Sequence, residues 1–468
     1  MPRPRWLFVT GKLAEPSLRR LLTDLAPQAG FDFDVAVLPI TVAALATTPW
    51  IARHLTVAPG TDRVLLPGLC AGDLGAVAGP AGITVERGPK DLRDLPEFFG
   101  EGGGRPAGYG AHDICILAEI NYVPRLEPAD LLARALALRA AGADVIDLGC
   151  DPAVTWARAA DAVRMLRDHG LRVSIDSFNA AEVEDAVAAG AELVLSVNSS
   201  NRDAARSWGC EVVAVPDVPA TLEGLDRTVE ALAAAGVPFR IDPVIEPIGF
   251  GFAASLARYL EVRRRYPQAE MLMGVGNLTE LTDVDSAGVN VVLLGFCQEL
   301  GIRSVLTTEV INWCRSCVRE LDLARRLVRY ACKEHVLPKH LEPDLVLLRD
   351  PKLREHGEAT LRELAERVRD TNFRIFAERG LLHVLSGRLF LQGTDPFTLF
   401  AQMVERQPID PSHAFYLGYE MAKAVTALTL GKEYVQDQAL RWGFLTMPEQ
   451  THQGRIAEDR GSKIEDGE

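Results

Sequence analysis

With 468 residues, 48% of them hydrophobic, the chain is long enough for two to four domains and can bury large cores. Fifty Lys and Arg against 64 Asp and Glu leave a net charge of −14, which argues against a nucleic-acid or anionic-membrane surface, because phosphate contacts need basic patches. No apolar run reaches the roughly 18–20 residues needed to cross a bilayer. The start, MPRPRWLFVTG, has too short an apolar segment for a signal peptide, so a cytoplasmic protein is expected.

Residues 1–100 alternate strand-like and helix-like segments (RWLFVTG, PSLRRLLTDLAP, FDFDVAVLP, TVAALATTPWIARHL, DRVLLPG), which predicts a parallel α/β domain. Gly11-Lys12 follows its first strand, but the rest of a phosphate-loop motif is missing. The glycine-rich stretch 101–113 reads as a linker. From 114 to 335 eight short apolar strands are expected: 114–120, 143–149, 172–177, 193–198, 211–216, 238–243, 270–276 and 304–310. Helix-period segments separate most of them, and eight such units in roughly 200 residues suit a (β/α)8 TIM barrel; a doubly wound open sheet is the alternative. Residues 336–446 predict a mostly helical C-terminal domain, including an amphipathic helix within 410–437, and the polar stretch 447–468 predicts a disordered tail. Eight cysteines spread through apolar runs suit reduced thiols. Cys314 and Cys317 form a lone C-x-x-C with no nearby histidine, so core packing is expected there and no metal site. His413, entering an apolar helix, reads as structural.

In a barrel the side chains at the C-terminal strand ends form the active site. Here that end collects Glu119 and Asn121, Asp147, Asp176, Asn198, Asp242, Asn277, and Thr308, Glu309 and Asn312. Singly, Asp147 or Asp176 could cap the next helix. Together they place carboxylates and carboxamides around one mouth with few basic groups. Such a set suits the N–H edge of an aminopterin ring, since a carboxylate accepts two N–H bonds and asparagine both donates and accepts.

The motifs around these residues resemble those of the pterin-binding enzymes, the dihydropteroate synthase group, over roughly 112–320. AEINYVP is similar to the family's first-strand motif, through Asn121 and Pro124, and AGADVIDLG matches its second, through Asp147. VSIDSFNAAEVEDAVAAGAELVLSVNS resembles the third and fourth, and IDPVIEPIGFGF the Asp-Pro-Gly-Phe-Gly-Phe segment with an insertion. The resemblance implies a pterin site made by Asn121, Asp147, Asp176, Asn198, Asp242, Phe250 and Asn277. It also implies a transferase that joins a reduced pterin, as its methyl diphosphate, to an arylamine, with Mg2+ accompanying the diphosphate and a homodimer as the expected assembly.

Two family features are absent: the Ser-Arg-Lys after strand seven, replaced by GVGNLTEL, and the Arg-x-His after strand eight, replaced by TTEVIN. Arg125, Arg202 and Arg315 are the candidate anion-binding replacements. GVGNLTEL is closer to the methyltetrahydrofolate:corrinoid methyltransferases of the same superfamily, in which Asn277 would lie near pterin N5. The flanking sections resemble those of long dihydropteroate synthase-related proteins associated with tetrahydromethanopterin biosynthesis. A synthase, a methyltransferase with a corrinoid partner and a non-catalytic pterin carrier are therefore the three readings.

Overall fold

The computed structural model describes residues 3–449 except 44–45, 78–82, 90–91, 100–104, 107, 152, 154, 352 and 388. Part of the expected linker, and the expected tail from 450 onward, lie outside the described residues. Two compact units divide the chain, one reaching Tyr109 with Lys339–Leu341, the other made of Gly110–Pro338 and the chain from Glu342.

The first unit carries the expected parallel sheet, with β1 (Arg5–Gly11), β2 (Asp32–Leu38), β3 (Arg63–Leu66) and a short β4 (Thr84–Arg87) in the order β2-β1-β3-β4. Alternation along β1 sends Trp6 and Phe8 to one core and Leu7 and Val9 to the other, so both faces of the sheet are covered. The helix Glu15–Ala29 buries Leu18, Leu22, Leu25 and Ala26, a single face at helical spacing. Gly11 has a packing role: a Cβ there would lie 2.8 Å from the Ile40 carbonyl and 2.9 Å from that of Thr41.

All eight expected barrel strands form: β5 (Cys115–Ile120), β6 (Val145–Gly149), β7 (Val173–Asp176), β8 (Leu193–Val197), β9 (Glu211–Ala214), β10 (Phe239–Ile241), β11 (Glu270–Gly274) and β12 (Ser304–Thr308). They are parallel, and pairing of β12 with β5 from Ser304↔Cys115 to Thr308↔Glu119 closes the ring, which excludes the open sheet. Leu117, Val145, Leu193, Leu195, Val213 and Leu272 fill the inside, while the alternate residues pack outward against the helices.

Arg325, on the helix Cys317–Glu334, ties that helix to the segments before the first two barrel strands. Its guanidinium donates to the carbonyls of Ile114 (2.8 Å) and Gly142 (3.2 Å) and to the carboxylates of Asp144 and Asp322, so the last helix grips the segments that start β5 and β6. Gly142 must be glycine at this contact, since its φ is 121° and a Cβ would meet that of Asp322 at 2.6 Å.

In the C-terminal section helices predominate as expected: Glu358–Arg367, Pro396–Arg406 and Pro411–Leu430. The last ends at Gly431 (φ 73°), short of the stretch expected from sequence. The sequence reading does not anticipate the antiparallel sheet β13 (Arg374–Glu378), β14 (Leu381–Ser386), β15 (Leu389–Gly393), whose core residues Ile375, Leu382 and Val384 pack with Leu417 and Met421.

Candidate functional site

Strand register brings the acids together. Glu119 pairs with Asp147, and Asp147 with Ser174, across β5, β6 and β7. Leu117 and Val145, two residues earlier, belong to the inner core, so alternation turns Glu119 and Asp147 into the barrel as well. Asp176 stands two residues beyond Ser174, one layer nearer the mouth. Gly149 leaves room for this group, because a Cβ there would come within 2.5 Å of Glu119 Oε1.

The Ser174 hydroxyl donates to Asp147 Oδ1 at 2.6 Å, while Asp147 Oδ2 is buried with no hydrogen-bond partner among the described residues. Burial, then repulsion from Asp176 and Glu119, pushes the Asp147 carboxyl well above its usual range. Glu119 is pushed up to about 7 by burial and by the charges of Asp176 and Glu280. Asp176 is also raised by burial, against a hydrogen bond from Ser196. Ser196 has φ 64° and sits where the β8–β9 register shifts between Val194 and Val197.

Asp242 follows β10 and is 7% exposed. Its Oδ1 accepts from Tyr259 Oη (2.5 Å) and from the Val244 N–H (2.8 Å), and burial outweighs these bonds to push its pKa up to about 6. Val244, a β-branched residue at φ 67°, is held in that strained conformation beside the carboxylate. The same loop carries a pair invisible to strand-end reasoning: buried Arg258 donates to Glu246 Oε2 at 2.6 Å. Gly251 (φ 125°) keeps a side chain off that carboxylate, which a Cβ would approach to 2.5 Å. Phe250, between the two glycines, is 79% exposed.

Three asparagines border the mouth. Asn121 Oδ1 accepts from Thr308 Oγ1 at 2.5 Å, tying the first barrel strand to the last. Asn277 Nδ2 donates to the Ile245 carbonyl at 3.2 Å, joining the turn after β11 to the loop after β10. Asn198 Oδ1 is committed to its own turn, accepting from the Ser200 N–H (3.0 Å) and hydroxyl (2.7 Å). Glu309, pushed up to about 7 by burial, accepts from the Val318 N–H.

Each candidate arginine already has a protein partner. Arg125 pairs with Asp151 at 2.6 Å and lies 4.5 Å from the centre of the Tyr122 ring. Arg202 donates to Thr228 Oγ1 at 3.1 Å, and the exposed Arg315 makes a long contact of 3.4 Å to Asn312 Oδ1. A cleft of about 320 Å³ lies beyond β6 and β7, bordered by Asp151, Asp176, Ser177 and Glu182. Among the described residues no group of three or more His, Cys, Asp or Glu side chains is placed to hold a metal ion, and no helix is long and apolar enough to cross a membrane. Cys314 and Cys317 are buried, with Asn290 Nδ2 3.4 Å from Cys317 Sγ.

Comparison with known proteins assigns the three sections separately. Residues 5–90 match a family described as being of unknown function (DUF6513), and residues 373–437 match the family PterinBD-DUF4346. An uncharacterized protein of Methanocaldococcus jannaschii is 27% identical over 92% of this chain and 98% of its own length. Among solved structures, the Yersinia pestis dihydropteroate synthase with a pterine–sulfa conjugate is 19% identical, covering 47% of this chain and 94% of its own at a TM-score of 0.39. The Thermus thermophilus dihydropteroate synthase is 22% identical, covering 48% and 94% at a TM-score of 0.38. Residues 123–241, from just after β5 to the end of β10, match the family described as pterin binding enzyme.

Proposed function

We propose that the barrel mouth binds a reduced pterin by its amidine-like N–H edge and that the chain is a transferase of the dihydropteroate synthase type. One observation carries the reading: three carboxyls, Glu119, Asp147 and Asp176, are crowded together, and among the described residues Asp147 keeps an unpartnered buried oxygen and no cation acts on the three. Such a cluster is costly without hydrogen-bond donors, and a pterin edge supplies paired donors at carboxylate spacing. Asn121 and Asn277 would read ring atoms that both donate and accept.

In the transfer itself an arylamine nitrogen attacks the exocyclic methylene of a dihydropterin-methyl diphosphate. The C–N bond forms as the C–O bond breaks, diphosphate leaves with the electron pair, and the amine proton passes to a base. Arg125, Arg202 and Arg315 are the candidates to receive the diphosphate, with Mg2+ as its counter-ion. The arylamine proposed is the ribosylated aminobenzene of tetrahydromethanopterin biosynthesis.

A second reading is favoured by the commitments of Arg125 to Asp151 and of Arg202 to Thr228, which leave the mouth acidic. A methylated reduced pterin brings no diphosphate to be held, so methyl transfer to a corrinoid partner, with Asn277 near N5, suits an acidic mouth. The test is a condensation assay with 6-hydroxymethyl-dihydropterin diphosphate, offering 4-aminobenzoate and ribofuranosylaminobenzene 5′-phosphate side by side with mass detection. Conjugate from the ribosylated amine is the expected product. Pterin binding without conjugate from either amine would move the assignment to methyl transfer or to a carrier, and absence of pterin binding would remove all three readings.

A further inference from the structure

The N-terminal sheet has a topological break that the barrel chemistry does not use. From β1 the chain runs to β2 on one side and then returns to β3 on the other, so the crevice between the C-terminal ends of β1 and β3 is the switch point of an open parallel sheet. Ligands of open α/β sheets bind at that place, because the connections diverge there and leave a gap above the strand ends. In this domain the gap is a cavity of about 220 Å³, bordered by the ends of β1 and β3 and by segments that follow β1, β2 and β4.

Its lining specifies a chemistry. Phe8, Leu13, Leu18, Leu65 and Leu92 supply apolar walls, the hydroxyls of Thr10 and Thr41 are its side-chain polar groups, and among the described residues none that lines it carries a charge. Thr10 is 4% exposed, and its hydroxyl makes only a long 3.4 Å contact to the neighbouring Gly11 carbonyl. An ion placed here would meet no opposite charge among these described residues, so charged ligands are disfavoured. The backbone around it is drawn tight: a Cβ on Gly68 would meet the Pro89 carbonyl oxygen at 2.1 Å. A dry apolar cavity of about 150 Å³ holds a benzene ring, which sets the scale of the occupant.

We propose that this switch-point cavity is a binding site for a small uncharged molecule of one or two rings, held by apolar contact and oriented by the Thr10 hydroxyl. The site is independent of the barrel mouth and of any pterin reading.

Titration calorimetry of the full chain with indole tests it, with indole-3-acetate as the ionised counterpart. Saturable one-to-one binding of indole with a sub-millimolar Kd is expected, at least tenfold tighter than that of the anion. Ala14→Phe and Leu13→Trp fill the cavity from two sides and should each weaken indole binding at least tenfold, with the far-ultraviolet circular dichroism unchanged. Asp147→Asn, in the barrel, should leave it unaltered. No saturable binding to the wild type, equal affinity for the anion, or unchanged affinity in whichever filling variants fold would overturn the proposal.

Discussion

Glu119 titrates in the direction opposite to that of a salt-bridged carboxylate. Its pKa is raised from 4.5 to about 7, chiefly by burial and then by Asp176 and Glu280. The folded protein therefore keeps a proton that the unfolded chain releases, and stability falls as pH rises through that window. Below about pH 4.5 the group is protonated in both states and costs nothing; above about pH 7 the cost is complete. At about 1.4 kcal/mol per pH unit the cost is on the order of 3 kcal/mol. Glu119→Gln should thus stabilise the ligand-free protein by about 1–3 kcal/mol at pH 8 and by little at pH 4.5. Urea unfolding at the two pH values checks this, and an equal effect at both would refute the burial account. Gly149→Ala approaches the same carboxylate sterically, since its Cβ would stand 2.5 Å from Glu119 Oε1. Pterin affinity should fall at least tenfold with the fold retained, and titration with a reduced pterin is the measurement. At this scale the sequence displayed the acids, because each ends a strand that otherwise reads as apolar. It did not display their partners: the Ser174–Asp147 bond needs the register of β6 and β7, and Tyr259 and Arg258 reach the mouth from a helix.

Elements were legible where a pattern persisted. The barrel strands are short apolar runs repeated at regular spacing, and that repetition identified them. The hairpin of β13 and β14 falls in a section expected to be mostly helical, although its turn is written in Arg379-Gly380, both at positive φ (52° and 76°) between alternating apolar residues. Arginine is a poor signal for such a position, where Asn or Asp would have announced the turn. Closure of the barrel is not legible either, because it rests on backbone pairing of β12 with β5, whose residues lie far apart along the chain. Arg325→Met should be destabilising by about 1–3 kcal/mol, since it takes the donor from the Ile114 and Gly142 carbonyls and from Asp144, while Asp322 keeps Arg319 and Arg326. Tyr259→Phe removes a hydrogen bond to the Asp242 carboxylate, and should cost about 1.5–3 kcal/mol. It should also lift the Asp242 pKa further above about 6, because that bond lowers it. Denaturant midpoints measure both losses, and carbonyl-carbon NMR titration of Asp242 reads the second effect.

For the whole molecule, the division into two compact units has a thermodynamic consequence. The N-terminal sheet has its own cores on both faces, and the barrel has a separate inner core and outer shell. Units with separate cores unfold as separate cooperative transitions unless a large shared interface couples them. Calorimetric unfolding of the full chain should accordingly resolve more than one transition, with a calorimetric enthalpy above the van't Hoff value. A ligand stabilises only the unit it binds, by about 2.7 kcal/mol at a free concentration of 100 Kd. A reduced pterin should therefore raise the transition that Asp147→Asn or Arg325→Met perturbs and leave the other in place. Indole should do the converse, raising the transition that Leu13→Trp perturbs. A single transition moved by both ligands would mean that the two units fold as one and that the pterin site and the switch-point cavity are energetically coupled.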